Sequence, residues 1–168
     1  LVQAVRLLRE THPDVHALLV GEGQERPAME RLAKQAGVAA HITFTGWVEP
    51  TDIPAYLRAA DIFVGASRTA PDGWVEAQGL TFLEAMAAGL PVVATGNGGI
   101  VDYVIDGETG MPVPERAPEQ IADAVARLLS DPELTRRMST SALQRVQRDL
   151  SREASAGRFS ALFESLAA

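Results

Sequence analysis

The chain has 168 residues, with 15 Lys and Arg against 22 Asp and Glu, so its formal net charge is −7. This length suits one domain of ordinary size, and a hydrophobic content of 46% excludes global disorder. An acidic domain repels phosphate backbones, so nucleic acid is not an expected partner. No cysteine is present, which excludes disulfides and thiolate chemistry and is compatible with the cytoplasmic location that we expect. No apolar run is long enough to predict an integral membrane segment.

Apolar segments of strand length alternate with segments of helical periodicity along most of the chain. In chain order, the pattern predicts a helix at 2–11, a strand at 15–20, a helix at 25–37, a strand at 41–45, a helix at 51–59, a strand at 61–65, a helix at 79–88, a strand at 91–95, a short helix at 97–104, a strand at 111–113, and helices at 118–129, 132–149 and 151–166. Strands separated by helices favour right-handed βαβ units. We therefore expect a Rossmann-like three-layer α/β/α domain with a mostly parallel sheet.

The start of the chain does not fit a complete doubly wound sheet. In such a sheet the first strand is central and lies beside the topological switch point, whereas this sequence begins at Leu1 in a helical pattern. Either the sheet starts with what should be its second strand, or a central strand has been removed. We expect an N-terminally truncated domain at residues 1–150, whose exposed sheet edge allows self-association, followed by a C-terminal helix at 151–168.

Motifs for familiar cofactors and metals are incomplete. Gly21 and Gly23 follow a predicted strand, as in a dinucleotide-binding fingerprint, but Arg26 occupies the position of the third glycine. There is no Walker A pattern, no Asp-x-Asp pair, and no pair of histidines with the spacing of metal ligands. The sequence therefore predicts no cofactor and no metal ion.

The most informative segment is residues 74–93, in which two carboxylates stand eight positions apart. Glu76 lies in a predicted loop, Glu84 lies in the following helix, and Gly79 stands where that helix begins. Free N–H groups at a helix start can bind a diphosphate, and carboxylates can accept hydrogen bonds from sugar hydroxyls. This combination favours a nucleotide-sugar pocket, although two solvated carboxylates explain the spacing equally well. The apolar residues expected to form the buried face of this helix are Leu80, Leu83, Met86 and Ala87.

The same segment carries a family resemblance. It contains Glu76, seven further residues, and then Glu84-Ala85-Met86-Ala87-x-Gly89-x-Pro91-Val92-Val93-Ala94. This pattern resembles the signature of the group 1 (family 4) retaining glycosyltransferases, which have the GT-B fold. Shorter matching segments follow in the family's order at 19–23, 42–48, 56–64, 98–102 and 106–110, so the resemblance covers about residues 1–150. It implies the C-terminal, donor-binding half of a two-domain enzyme whose acceptor-binding N-terminal domain is missing.

The resemblance also implies roles for individual residues. Glu76, which we assign to catalysis, would bind hydroxyls of the donor sugar. Gly79 and Leu80 would offer backbone N–H groups to the diphosphate, and Glu84 would hold the ribose. The expected partner is thus a nucleoside diphosphate sugar, bound as a substrate.

The nucleotide would occupy the other side of the same cleft. The backbone around Trp47 and Val48 would meet the edge of the base, and Gly21 and Gly23 would line that side. Two departures from the family pattern matter. The family's Arg and Lys that grip the diphosphate have no counterpart in this sequence, and Asp102 stands where the family usually has Glu. We therefore expect the chain alone to bind a donor weakly and to be inactive.

The expected function is the donor-binding domain of a retaining glycosyltransferase, which moves a sugar from a nucleoside diphosphate to an acceptor hydroxyl. Such a reaction belongs to polysaccharide or glycoconjugate biosynthesis. A non-catalytic nucleotide- or sugar-binding module derived from the same fold is the alternative, and a phosphorylase or epimerase is a third possibility. By the same resemblance, the helix at 151–168 corresponds to the crossover helix that returns to the other domain.

Overall fold

A computed structural model describes residues 1–167 of the chain. The helices are α1 (Val2–Leu8), α2 (Arg26–Gln35), α3 (Ile53–Ala59), α4 (Leu80–Ala87), α5 (Pro118–Ser130), α6 (Pro132–Arg145) and α7 (Arg152–Ala167). The strands are β1 (Ala17–Val20), β2 (Ile42–Gly46), β3 (Phe63–Gly65), β4 (Val92–Thr95) and β5 (Met111–Val113). Short 3-10 helices occupy Ala39–His41 and Gly98–Asp102, and a π-helical turn occupies Val146–Leu150. The predicted order of elements is confirmed, and the last residue of the predicted helix at 151–168, Ala168, lies outside the described residues.

The strands form two parallel sheets. One has the order β1-β2 and the other has the order β3-β4-β5. Every pairing between these strands is parallel, as expected for strands that are joined through helices. The predicted α/β/α class is therefore correct, but the sheet is divided, and β1 and β3 each pair on one side only.

Helix α1 joins the two sheets across one face. Its Val2 and Val5 are buried in a cluster with residues of α2, β1 and β2. Its Ala4 and Leu8 are buried in a second cluster with residues of β4, β5 and α5. A third cluster packs α4 and the partly buried end of α3 against the opposite face of β4. Apolar burial on both faces therefore holds the layers together, at about 1.5–3 kcal/mol for each large side chain that is fully buried.

The buried face of α4 differs from the predicted one. Phe82 packs edge-to-face on Phe63, with ring centroids 5.3 Å apart, and a Cβ atom on Gly65 would overlap its ring. This contact turns Phe82 and Met86 toward the sheet and leaves Leu80 61% exposed. The prediction that Leu80 and Ala87 belong to the core is therefore wrong, because both side chains are exposed.

A cleft of about 1170 Å³ lies between β1 and β3. Its walls include both of these edge strands, with α1 and α5 on one face and α3 on the other. Leu18 and Val20 of β1 line the cleft and are 40% and 41% exposed, unlike the fully buried Val92 and Val93 of β4. The packing is thus complete around β4 and open beside β1.

Helix α7 presents an apolar stripe to solvent. Phe159, Leu162, Phe163 and Leu166 recur at helical spacing, and all four are exposed. Within residues 1–167, no helix combines the length and the hydropathy needed to cross a membrane.

Candidate functional site

The candidate site lies at the carboxyl ends of the strands, where two loops meet the start of α4. The Glu76 loop (residues 66–79) follows β3, and the Gly98 loop (residues 96–103) follows β4. In open α/β sheets, ligands bind outside this edge. The location is therefore set by the topology, and the side chains of the two loops determine the chemistry.

Glu76 and Gly79, which the sequence places in different roles, are bonded to each other. Glu76 Oε1 accepts a hydrogen bond from the Gly79 N–H at 3.0 Å. Gly79 is the N-cap of α4 and has a φ of 60°, in the left-handed region that favours glycine. Consequently the N–H group predicted to bind the diphosphate is occupied by the carboxylate predicted to bind the sugar. A ligand that uses this N–H group must first displace Glu76.

Tyr103, which no sequence pattern marks, binds the backbone of the same turn. Its hydroxyl lies 2.5 Å from the carbonyl oxygen of Gln78 and 3.2 Å from that of Gly79, to which it can donate. Burial and, to a smaller extent, the nearby charges of Glu76 and Asp102 together raise the pKa of Tyr103 to about 12. The phenol therefore stays protonated and remains a donor at neutral pH.

The two glycines of the Gly98 loop lie directly against the backbone of the Glu76 loop. A Cβ atom on Gly98 would overlap the carbonyl oxygen of Glu76, and one on Gly99 would overlap that of Ala77. The Gly99 N–H also donates to the Glu76 carbonyl at 3.3 Å. Glycine is needed at both positions because two loops approach closely, and this close approach holds the backbone of Glu76.

The loops after β1 and β2 form a second group. The Gly21 N–H donates to the Gly46 carbonyl at 3.1 Å, which brings Gly21 beside the start of the segment that contains Trp47 and Val48. Trp47 is 71% exposed, and Val48 is half-buried. These contacts join the residues that the sequence predicts to lie on the nucleotide side.

The large cleft brings together only part of the predicted site. Gly21, Gly23 and Glu84 line it. Among the residues that the structure describes, its lining does not include five of the predicted positions: Trp47, Val48, Glu76, Gly79 and Leu80. Glu84 is exposed on α4 and lies at the wall of the cleft, whereas Glu76 is not part of the lining.

The electrostatic balance of the cleft is acidic. Arg26 is the one Lys or Arg among the described residues that line it. Its guanidinium lies 2.8 Å from both Glu22 and Glu30 and 6.0 Å from the centre of the Phe44 ring. The hydrogen bond to Glu30, which has the largest effect, and the one to Glu22 raise the pKa of Arg26. Two carboxylates already neutralise this cation, so a diphosphate would find little free positive charge here.

A metal centre would need clustered ligands. In the part of the chain that the structure describes, no three His, Asp or Glu side chains are grouped so that they could hold a metal ion. Donors that an anion could use near this site include the first N–H groups of α4, once Glu76 is displaced, and the exposed side chain of Arg68 in the Glu76 loop.

Comparison with known proteins gives a family match across most of the chain. A family model described as "Glycosyl transferases group 1" matches residues 1–145. The GDP-mannose-dependent alpha-(1-6)-phosphatidylinositol monomannoside mannosyltransferase of Mycobacterium tuberculosis (strain CDC 1551 / Oshkosh) is 41% identical over 132 residues. That alignment covers 78% of this chain and 34% of the relative. The chain thus spans about a third of the length of the curated relatives it matches.

Two solved structures share the fold. One is the C-terminal domain of a glycosyl transferase group 1 family protein from Francisella tularensis, with a TM-score of 0.78, 30% identity, and coverage of 90% of this chain and 77% of that chain. The other is sucrose-phosphate synthase from Thermosynechococcus elongatus, with a TM-score of 0.81 and 30% identity, covering 98% of this chain and 42% of that chain. These similarities confirm the predicted likeness to the C-terminal half of a GT-B glycosyltransferase.

Proposed function

Since the chain belongs to the group 1 glycosyl transferases, we propose that it is the donor-binding domain of a retaining glycosyltransferase. The reaction transfers a sugar from a nucleoside diphosphate to an acceptor hydroxyl, in the cytoplasm and without a metal ion. The observation that carries the proposal is the contact at 3.0 Å between the Glu76 carboxylate and the Gly79 N–H at the start of α4. An acceptor of sugar hydroxyls and a donor to phosphate stand side by side at the ligand-binding edge of the sheet.

Donor binding then exchanges one partner of Gly79 for another. The diphosphate takes the N–H groups of Gly79 and Leu80, where the positive end of the α4 dipole stabilises the charge of the departing nucleotide. Glu76 is released from Gly79 and accepts hydrogen bonds from the donor sugar. Glu84, at the wall of the cleft, accepts hydrogen bonds from the ribose, as a carboxylate does from a vicinal diol.

The nucleotide base lies on the side of the cleft formed by β1 and β2. The contact between Gly21 and Gly46 supports this placement because it brings the loop that contains Gly23 beside the start of the segment that contains Trp47 and Val48. GDP-mannose is the first donor to test, since the relative that is 41% identical is named as GDP-mannose-dependent.

The domain is completed, in this proposal, by an extended segment between β1 and β3. Both strands have one unpaired edge, and the cleft of about 1170 Å³ lies between those edges. Leu1, at the start of α1, lines a small cavity with Ala66, which follows β3, and with Thr95, the last residue of β4. A strand that leaves the cleft to enter α1 would therefore run parallel to both neighbours in a right-handed connection.

The same segment, with an acceptor-binding domain before it, would supply the missing positive charge. For this reason the chain alone is expected to bind a donor weakly and to transfer no sugar. The apolar stripe of α7 is proposed to pack on that other domain. Self-association remains the alternative use of the open edges, and a monomer in gel filtration at high concentration would count against it.

In this proposal the diphosphate replaces Glu76 as the partner of the Gly79 N–H. The replacement can be tested because loss of the Glu76 carboxylate should affect the binding of GDP and of GDP-mannose differently. In calorimetric titrations of this chain, Glu76→Ala should raise the affinity for GDP, because it frees the Gly79 N–H and removes a negative charge. The same variant should lower the affinity for GDP-mannose relative to GDP, because the sugar loses its acceptor. Glu133→Ala, which removes an exposed carboxylate of α6, is the matched control.

Glu84 provides the second arm of the test. Glu84→Ala should weaken GDP and GDP-mannose about equally, by roughly tenfold for one charged hydrogen bond. Titrations with UDP and ADP, compared with GDP, identify the nucleotide base that the domain prefers. Full turnover by a two-domain enzyme with both Glu76→Ala and Glu84→Ala would reject the site, and inversion at the anomeric carbon of the product would reject the retaining mechanism.

A non-catalytic nucleotide-binding module is the second candidate. The acidic cleft supports the absence of transfer activity, because Arg26, its one basic lining residue within the described part of the chain, is already paired with Glu22 and Glu30 and is not free to stabilise a departing diphosphate. A two-domain protein that binds GDP-mannose but releases no GDP in the presence of acceptors would support the module over the enzyme.

A further inference from the structure

Glu115, which follows β5, joins the loops after all three strands of the β3–β4–β5 sheet. Its Oε2 accepts a hydrogen bond from the Thr69 N–H at 2.9 Å. Its Oε1 accepts from the Thr69 hydroxyl and from Nδ2 of Asn97, both at 2.7 Å. Thr69 lies in the Glu76 loop after β3, and Asn97 lies in the Gly98 loop after β4. One carboxylate therefore fixes the relative positions of both loops that form the candidate site.

The charge of Glu115 makes these bonds strong. The hydrogen bonds from Asn97, which has the largest effect, and from Thr69 lower the pKa of Glu115 to about 2. The carboxylate is thus ionised at every physiological pH, and hydrogen bonds to ionised groups are shorter and stronger than neutral ones. Arg116, the next residue, has a φ of 57°, which is the one positive φ of a non-glycine residue within 1–167. Such backbone strain persists where surrounding contacts impose it, and the bonds of Glu115 are contacts of that kind.

The Glu76 loop is held at its start and at its end by different groups. At its start, Glu115 binds Thr69, and the hydroxyl of Thr95 donates to the Ser67 carbonyl at 2.6 Å. At its end, the Gly99 N–H donates to the Glu76 carbonyl. Between these points the loop makes a turn, closed by a bond of 2.8 Å from the Ala70 N–H to the Trp74 carbonyl. Release at Thr69 would leave the bonds at Ser67 and at Glu76 to hold this loop, and the turn between them would lose its attachment to Glu115.

We propose that Glu115 is a positioning residue for Glu76: by binding Thr69 and Asn97, it holds the Glu76 loop in the place where Glu76 meets the donor sugar. Glu115 acts through Thr69 and does not itself contact the donor. The part that concerns the sugar rests on the proposed function. The part that concerns the loop rests on the hydrogen bonds alone and is tested without a ligand.

The ligand-free test measures hydrogen exchange of single amides by NMR in the unmodified chain and in Glu115→Ala. Exchange should become about tenfold faster at Thr69, Gly79 and Gly99, because a charged hydrogen bond that anchors the loop is lost. Exchange at Val93 in the core of the sheet should not change. A uniform increase, or an increase confined to Thr69, whose own N–H loses its acceptor in this variant, overturns the proposal.

Matched variants separate positioning from general damage. Thr69→Ser keeps the hydroxyl and should behave as the unmodified chain, whereas Thr69→Val should accelerate exchange at the same amides to a smaller extent than Glu115→Ala. Thr69→Val removes the hydrogen bond from the Thr69 hydroxyl to Glu115 but leaves the charge of Glu115 in place. It therefore also tests the proposal if Glu115→Ala does not fold. Glu119→Ala, an exposed carboxylate in the first turn of α5, is the control for the loss of charge. Trypsin cleavage after the exposed Arg68 should follow the same order of variants.

The ligand test compares GDP-mannose with GDP. Glu115→Ala should lower the affinity for GDP-mannose about tenfold relative to GDP, since the contacts to the sugar depend on Glu76. It should not lower the affinity for GDP, because a displaced Glu76 leaves the Gly79 N–H free for the diphosphate. An equal loss for both ligands would make Glu115 a purely structural residue and overturn the proposal. If the unmodified chain binds neither ligand, the proposed function of this chain fails, and the amide exchange still decides whether Glu115 positions the loop.

Discussion

The two sheets of this domain differ in how firmly they hold their loops. Around β4, both faces of the sheet are covered, and the loops at its carboxyl end are tied together by Glu115, Tyr103 and the contact of Gly99 with Glu76. Beside β1, one edge is unpaired and its side chains line an open cleft. The half of the site proposed for sugar and diphosphate is therefore preorganised, whereas the half proposed for the nucleotide depends on what fills the cleft.

The largest expected effect is on the free energy of unfolding. Met86→Ala, at a side chain that is 0% exposed, should cost about 2–5 kcal/mol, because it leaves a cavity under α4. Leu18→Ala, on the wall of the cleft, should cost less than about 1 kcal/mol, since it removes a side chain that is partly in water. Urea unfolding of both variants measures the difference. Equal losses would show that β1 is packed as tightly as β4.

Two glycines, Gly99 in the loop after β4 and Gly23 in the loop after β1, allow the stability of the loops of the two sheets to be compared. Gly99→Ala should destabilise the domain by about 1–3 kcal/mol, because the new methyl group overlaps the backbone of the Glu76 loop. Gly23→Ala should be nearly neutral, since a Cβ atom there meets nothing within 4 Å. Thermal unfolding of the two variants is the measurement. A neutral Gly99→Ala would mean that the two loops are free to separate.

The smallest expected effect concerns Tyr103 and alkaline pH. Its pKa is raised from 10 in the unfolded chain to about 12 in the folded one, so folding favours the protonated phenol. The stabilisation is complete below pH 10 and is lost as the pH rises through about 12. Tyr103→Phe should lose about 1 kcal/mol at neutral pH, from the hydroxyl hydrogen bond.

Urea unfolding of the unmodified chain and of Tyr103→Phe between pH 9 and 12 tests this linkage. The unmodified chain should lose stability more steeply across the interval, so that its advantage over Tyr103→Phe shrinks as the pH rises. Parallel curves would indicate that Tyr103 is not the titrating group.

Much of the architecture was predictable because it follows from local periodicity. Gly37 and Gly89, just past the ends of α2 and α4, have positive φ values of 70° and 78°, as is common for a glycine that terminates a helix. The predicted buried face of α4 was correct at Met86 but wrong at Leu80 and Ala87, because the packing of Phe82 over Gly65 is a contact between distant segments. Periodicity in one helix cannot report such a contact.

The candidate site was predictable as a set of residues but not as a set of bonds. Glu76, Gly79 and Glu84 were selected from spacing and resemblance, and their roles are still predictions. The bond between Glu76 and Gly79 and the link from Glu115 to Thr69 were not foreseen. Glu115 had no motif to mark it, since its partners are 46 and 18 residues away in the chain.

From the amino-acid sequence alone came the order of helices and strands, the family, and the residues that could bind a nucleotide sugar, because these depend on short-range pattern. The tertiary structure decided the division into two sheets, the open cleft beside β1, and which carboxylate meets which N–H group. These features depend on packing and hydrogen bonds between segments that are far apart in the chain, and such contacts are formed only when the layers come together.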